Sequence, residues 1–182
     1  MRLERAGGVG EEPVAIGLGS NLGDRLAHLR FGVDRLREFL LEMRVSPLYE
    51  TDPEGDPDQR AFLNAVCIGR TVLSPRQLLS QLQDAERAAG RRRGARRYGP
   101  RTLDLDLLVY GNSVFHSSDL WVPHPRLRER AFVLVPFADV APEWIVPGES
   151  GPDETVARLL SRLDTGRVYP ASAAGMDAWW ES

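Results

Sequence analysis

The stretch Leu103-Asp-Leu-Asp-Leu-Leu-Val-Tyr110 decides the fold. It is an apolar strand interrupted by two carboxylates, and Gly111-Asn112 behind it makes a turn. Upstream of it, Arg91 to Thr102 is an arginine-dense loop. Before that loop, Ser74-Pro75 is an N-cap followed by proline at the first helical position. Leu78, Leu79, Leu82, Ala85 and Ala89 mark the buried side of the helix that follows, and Gly90 ends it. Earlier still, Ala61 to Thr71 alternates, with Phe62, Asn64, Val66 and Ile68 on one face and Leu63, Ala65 and Cys67 on the other.

The same strand–helix–strand unit occurs once more toward the N-terminus. Val14-Ala-Ile-Gly-Leu18 reads as a buried strand ending in the turn cluster Gly19-Ser20-Asn21. Apolar residues then fall at Leu22, Leu26, Leu29, Val33, Leu36 and Leu40, in steps of 4, 3, 4, 3 and 4, which is one face of an amphipathic helix. Val45 to Glu50 is the second strand, and Thr51 to Gln59, with two prolines and four acids, must be a loop. Strand, helix, strand, strand, helix, strand is the ferredoxin-like α+β arrangement: a βαββαβ core with an antiparallel sheet and both helices on one face. A C-terminal extension follows, punctuated by Pro123, Pro125, Pro136, Pro142, Pro147 and Pro152, with a short helix expected over Glu154 to Leu163. The expected organisation is a flexible leader over residues 1–13, one domain over 14–165, and a tail over 166–182 that ends near Trp179-Trp180.

Composition excludes several mechanisms. The chain has 182 residues and no lysine, so all 23 basic side chains are arginine. A Walker A loop, a protein-kinase site and Schiff-base chemistry each need a lysine. Any anion handled here meets guanidinium groups, backbone amides or a metal. The net charge of −3 gives no general preference for nucleic acid or an anionic membrane. Cys67, the single cysteine, can form no internal disulfide, which points to a cytoplasmic protein. No apolar stretch approaches the roughly 18 residues of a membrane span. Met1 to Pro13 has no apolar core of a signal peptide.

Asp104 and Asp106, two apart on a strand, project to the same face roughly 6–7 Å apart. Adjacent carboxylates repel unless a hard cation sits between them, and Mg²⁺ takes few carboxylates and fills its shell with water and phosphate oxygens. The plainer reading is a solvated edge strand, although the flanking leucines and valine look like a central buried one. Seven of the 23 arginines, Arg87, Arg91, Arg92, Arg93, Arg96, Arg97 and Arg101, fall within 15 residues just upstream. A solvated charge run would explain most of them. A glycine-punctuated cationic loop beside two carboxylates is also what phosphoryl transfer needs. Gln83 and Glu86 share one side of the second helix, either as its wet face or as ligand contacts. Phe62 and Asn64 pair a ring with an amide, suited to a flat heterocycle or simply to a core. His124, held between Pro123 and Pro125, is expected to be displayed and exposed.

These residues resemble those of the 6-hydroxymethyl-7,8-dihydropterin pyrophosphokinase family. The likeness runs from Val14 to about Pro147 through Gly19-Ser-Asn21, Leu63-Asn-Ala65, the run Arg97-Tyr-Gly-Pro-Arg-Thr-Leu-Asp-Leu-Asp106, and Val122-Pro-His124 followed by Arg130 and Phe132. It implies the same ferredoxin-like fold and transfer of pyrophosphate from ATP, the co-substrate, to the pterin alcohol, with AMP released, in folate biosynthesis. It further implies two Mg²⁺ ions on Asp104 and Asp106, with Arg91 and Arg101 as loop arginines assisting transfer. Gln83, Glu86, Tyr98, His124 and Arg130 would bind the nucleotide, and Thr51, Phe62, Asn64 and Phe132 the pterin. Tyr98 stands where a tryptophan is common; Asp119 and Trp121 depart from the pattern and take no role. The partners expected are small molecules only, with no nucleic acid and no membrane, around a monomer.

Two other classes compete. Asp-x-Asp also serves glycosyltransferases that hold a nucleotide-sugar diphosphate through a divalent ion, but 182 residues are few for such a domain. A ferredoxin-like nucleic-acid-binding module would use the arginine loop, but no strand carries an RNP1-type aromatic and basic motif and the chain is net acidic.

Overall fold

In the computed structural model, which describes residues 10–52, 59–91, 99–148, 151–171 and 178–181, the carboxylate-bearing strand is Asp104–Tyr110. Its placement follows from the elements laid down before it. β1 (Glu12–Ser20) leads to α1 (Arg25–Leu36), whose N-cap Asp24 accepts from the Ala27 amide at 3.1 Å. β2 (Leu41–Val45) and β3 (Tyr49–Thr51) come next, then β4 (Phe62–Thr71) and α2 (Pro75–Ala88). Ser74 and Gln77 close a capping box at the start of α2, and Gly90, at φ +78°, ends its last turn. β5 (Asp104–Tyr110) completes the βαββαβ core.

The sheet runs β5-β1-β4, with β2 and β3 both pairing the far side of β4, all antiparallel. Leu29, Val33 and Leu36 of α1 and Leu78, Leu82 and Ala85 of α2 bury against one face, with Val14, Ile16, Leu18, Leu63, Ala65 and Cys67 of the sheet. Both helices therefore lie on one side, as the element order predicts. The opposite face carries a second core, which includes Ala15, Val66, Ile68, Leu108 and Val109.

The extension supplies the cover for that second face. β6 (Phe115–His116) and β7 (Trp121–Val122) form a small hairpin. A 3₁₀ turn at Leu127–Glu129 then leads into α3 (Ala131–Val140), followed by β8 (Ile145–Val146), β9 (Glu154–Thr155), α4 (Val156–Leu160) and β10 (Val168–Pro170). Val133, Leu134 and Phe137 of α3 and Val156 and Leu159 of α4 pack onto the back of the sheet.

Four expectations need correction. The second strand is two pieces, β2 and β3, because Ser46, Pro47 and Leu48 break it. Leu22 lies before α1 and is exposed, since the Asp24 cap starts the helix later than the apolar spacing suggests. β5 is not central: among the described residues it pairs only β1, and its burial comes from side chains packed on both faces. The extension also holds a ten-residue helix, α3, with Pro136 inside it. A proline there costs about 3 kcal/mol, which the near-continuous apolar run Phe132–Phe137 offsets by burial on the sheet. The short C-terminal helix appears within its expected span, capped by Thr155.

Candidate active site

α3 covers only part of the back face, and the open end exposes a floor built from three adjacent strands. In the register of β1, Gly19 lies between Asn64 of β4 and Asp104 of β5, and Gly17 lies between Val66 and Asp106. A Cβ on Gly19 would stand 3.2 Å from the Asn64 amide oxygen and 3.8 Å from the Asp104 Cβ, so a side chain there would fill the floor. The sequence places Gly19 in a turn cluster after the strand; the structure instead continues β1 through Ser20, which puts Gly19 on the same face as Gly17 and makes both part of the floor.

Over this floor opens a cleft lined by Thr51, Phe62, Asn64, Arg101, Asp104, Asp106, Arg130 and Phe132, among others. The structure thus gathers all four residues expected to hold the heterocycle with both carboxylates and two of the arginines. Asn64 is buried, and its amide donates to the Thr51 hydroxyl at 2.7 Å. A second cleft, bordered by Leu79, Asp119, Leu120, Trp121, His124 and Pro125, adjoins the first, and Asp106 lines both.

Cations surround the carboxylate pair. Asp104 is shared by Arg91, at 2.7 Å, and Arg101. Asp106 has Arg130 at 3.6 Å and the His124 Nε2 at 3.9 Å. Burial and the neighbouring Asp104 push the Asp106 carboxyl up to about 6, against the pull of Arg130. The guanidinium of Arg130 lies 5.3 Å from the Phe132 ring centre, and its buried Nε has no hydrogen-bond partner among the described residues.

His124 is partly buried rather than displayed. Its backbone amide donates to the Leu108 carbonyl at 2.8 Å, which docks it beside β5. Burial and the nearby Arg130 push its imidazole down to about 4, so the ring is neutral near pH 7. Nδ1 accepts from the Arg126 amide at 3.2 Å, which leaves the proton on Nε2, the nitrogen on the Asp106 side.

Glu86 is not on a wet face. It is 5% exposed, accepts the Leu105 amide at 2.9 Å, and pairs with Arg91, tying α2 to β5 directly behind the carboxylates. Its neighbour Gln83 is half-buried and lines neither cleft. Tyr98 and Arg92, Arg93, Arg96 and Arg97 lie outside the described residues, as do residues 53–58 of the acidic loop. Asp119 is paired with Arg76 at 3.0 Å, and Trp121 stacks on His116 with ring centres 4.6 Å apart.

Asn21 has a positioning part that no sequence pattern assigns to it. The Asn21 side-chain oxygen accepts from the Arg101 backbone amide at 2.7 Å, and the Asn21 backbone N–H donates to the Arg101 carbonyl at 3.1 Å. Asn21, the residue after β1, thereby fixes the end of the arginine loop beside that strand. Its place in Gly19-Ser-Asn21 marks a turn, and no spacing rule links it to residue 101.

Two carboxylates side by side at the junction of two clefts, ringed by arginine, on a ferredoxin-like sheet, define an enzyme of phosphoryl transfer. The comparisons with known proteins name which one. Residues 15–142 match the family model for 7,8-dihydro-6-hydroxymethylpterin-pyrophosphokinase. The 2-amino-4-hydroxy-6-hydroxymethyldihydropteridine pyrophosphokinase of Methylorubrum extorquens is 42% identical over 155 residues, covering 84% of this chain and 94% of that protein. A mitochondrial folate synthesis bifunctional protein of Arabidopsis thaliana is 45% identical over 163 residues, but the chain spans 28% of its length. Among solved structures, a Plasmodium falciparum HPPK-DHPS superposes with a TM-score of 0.65 at 14% identity, over 86% of this chain and 46% of that one. The chain belongs to the 7,8-dihydro-6-hydroxymethylpterin-pyrophosphokinase family. It is accordingly an ATP-dependent pyrophosphokinase of folate synthesis, acting on hydroxymethyldihydropterin.

Proposed function

We propose that the pterin alcohol occupies the Phe62–Phe132 cleft, that ATP occupies the cleft bordered by His124, and that pyrophosphate passes between them at Asp106. The observation that carries this is Asp106 itself, which borders both clefts with Asp104 beside it. The transfer is an in-line displacement. A bond forms from the hydroxymethyl oxygen to the β-phosphorus as the hydroxyl proton is released to water, the bond from that phosphorus to the bridging oxygen of AMP breaks, and AMP leaves.

Among the described residues, no group of three or more His, Cys, Asp or Glu forms a closed cation cage. Two strand carboxylates are nevertheless the donor set of a hydrated Mg²⁺ completed by phosphate oxygens, so the residues fit. Asp104 and Asp106 would hold two such ions, which when bound neutralise phosphate charge. Arg91 and Arg101 exchange their hold on Asp104 for the transferring phosphates. His124 Nε2–H and Arg130 donate to phosphate oxygens at the junction of the clefts. Phe62 and Phe132 stack on the pterin, and Asn64, oriented by Thr51, meets its hydrogen-bonding edge.

The two clefts lie within one chain, which supports a monomer taking only small molecules. The buried, free Cys67 supports a cytoplasmic setting. No helix of the described residues is long and apolar enough to cross a membrane. The test is product analysis: ATP with hydroxymethyldihydropterin should give AMP and the pterin diphosphate in equal amounts. Formation of ADP, or of AMP without the pterin, would contradict the reading.

A further inference from the structure

The family match ends at residue 142, yet later segments reach back to the strand that walls the first cleft. β10 pairs antiparallel with β3, setting Val168 opposite Thr51, Tyr169 opposite Glu50 and Pro170 opposite Tyr49. The Ala171 amide donates to the Leu48 carbonyl at 2.9 Å. Two residues earlier on an antiparallel strand, the Tyr169 N–H faces the same neighbour.

Trp179 grips the other end of the same stretch. It is fully buried in the core on the helix side of the sheet, and its indole N–H donates to the Ser46 carbonyl at 2.9 Å. Ser46 in turn is bound to Val66 of β4 in both directions, at 2.9 and 3.0 Å. Arg30 of α1 holds the Trp179 carbonyl at 2.7 Å, and Arg37 holds that of Trp180, also at 2.7 Å. Ser46, Pro47 and Leu48 are the break between β2 and β3. The C-terminal segments therefore clamp that break at its first residue, through Trp179, and at its last, through Ala171.

We infer that Trp179 and β10 position the pterin side of the active site. The inference rests on the proposal that the Phe62–Phe132 cleft takes the pterin. β3 is three residues long and would otherwise pair on one edge only. A strand that short is held by few hydrogen bonds, and without a second neighbour it opens locally. Its last residue, Thr51, holds the buried Asn64 amide at 2.7 Å, so a shift of β3 moves the hydrogen-bonding wall of the cleft while leaving the carboxylates on β5 in place. Neither Trp179 nor Tyr169 lines the cleft; both act through β3.

The test uses the full chain with Trp179→Phe, which keeps a ring and removes the N–H, and Tyr169→Pro, which removes one strand amide at an exposed edge position. Affinity for hydroxymethyldihydropterin is measured by calorimetry with α,β-methylene-ATP and Mg²⁺ present, and affinity for the ATP analogue is measured separately. Each variant should bind the pterin roughly tenfold more weakly and the nucleotide within about twofold of the parent, with KM for pterin rising more than kcat falls. Unchanged pterin affinity in a folded variant would overturn the inference, as would parallel losses for both ligands in proportion to lost stability. If Trp179→Phe does not fold, Tyr169→Pro decides the matter. A parent protein that binds the nucleotide and not the pterin would overturn the cleft assignment and this inference together. A parent that binds both, with variants that do too, overturns the inference alone.

Discussion

Arg91, three residues beyond α2, reaches Asp104 on β5 at 2.7 Å, and Arg101 holds the other oxygen of the same carboxylate. The two ends of the arginine loop thus converge on one anion beside the junction of the clefts. In the proposed reaction both guanidinium groups would leave Asp104 for the transferring phosphates. For Arg101→Ala we predict a fall in kcat of about 10²- to 10³-fold, with KM for ATP changed far less. Steady-state kinetics on both substrates check this, and an unchanged kcat would reduce the pair to a structural clamp on Asp104.

Glu86 makes a second prediction, of a different kind. Its carboxylate satisfies the Leu105 amide between the two aspartates, and removing it leaves that buried donor unpaired, a cost of about 1–3 kcal/mol. Glu86→Ala should therefore lower the urea midpoint of the protein, whereas Glu86→Gln, which keeps an acceptor for Leu105, should recover most of it. Equal losses from both would show that the negative charge matters more than the hydrogen bond to β5.

A residue of this site is legible in the sequence where its neighbours in space are also its neighbours in pattern. Asp104 and Asp106 share a face by strand alternation alone, and Ser74-Pro75 and Gly90 bound α2 by local capping chemistry. Glu86 carried the pattern of a solvated helix face, because its partner Leu105 comes from a strand 19 residues away that only the fold brings near. α3 was hidden for the opposite reason. Its local signal was a proline, and the apolar run that overrides it has no helical period when every side is buried or half-buried. The C-terminal segments were the least legible, since Trp179 finds Ser46 across 133 residues of chain.

Cys67 supplies a prediction about stability and pH. It is fully buried, and burial pushes its thiol up to about 12. A folded-state value above the unfolded one of about 8.5 means the native protein holds this proton more tightly. The stabilisation is complete below the unfolded value and is lost as pH rises toward 12. The urea midpoint should decline above pH 9, and Cys67→Ala should flatten that decline. At pH 8 a thiol reagent should label the native chain only at its unfolding rate; fast labelling would show that the core around β4 opens locally.

In the proposed reaction the carboxylates at the meeting of the two clefts carry the transfer. The most direct measurement is Mg²⁺-dependent release of AMP from ATP in the presence of hydroxymethyldihydropterin, by Asp106→Ala and Asp104→Ala beside the parent chain. The parent should release AMP only with both the pterin and Mg²⁺. Each variant should keep its circular dichroism spectrum and lose AMP release by at least about a thousandfold. Near-parental AMP release from either folded variant would contradict the account.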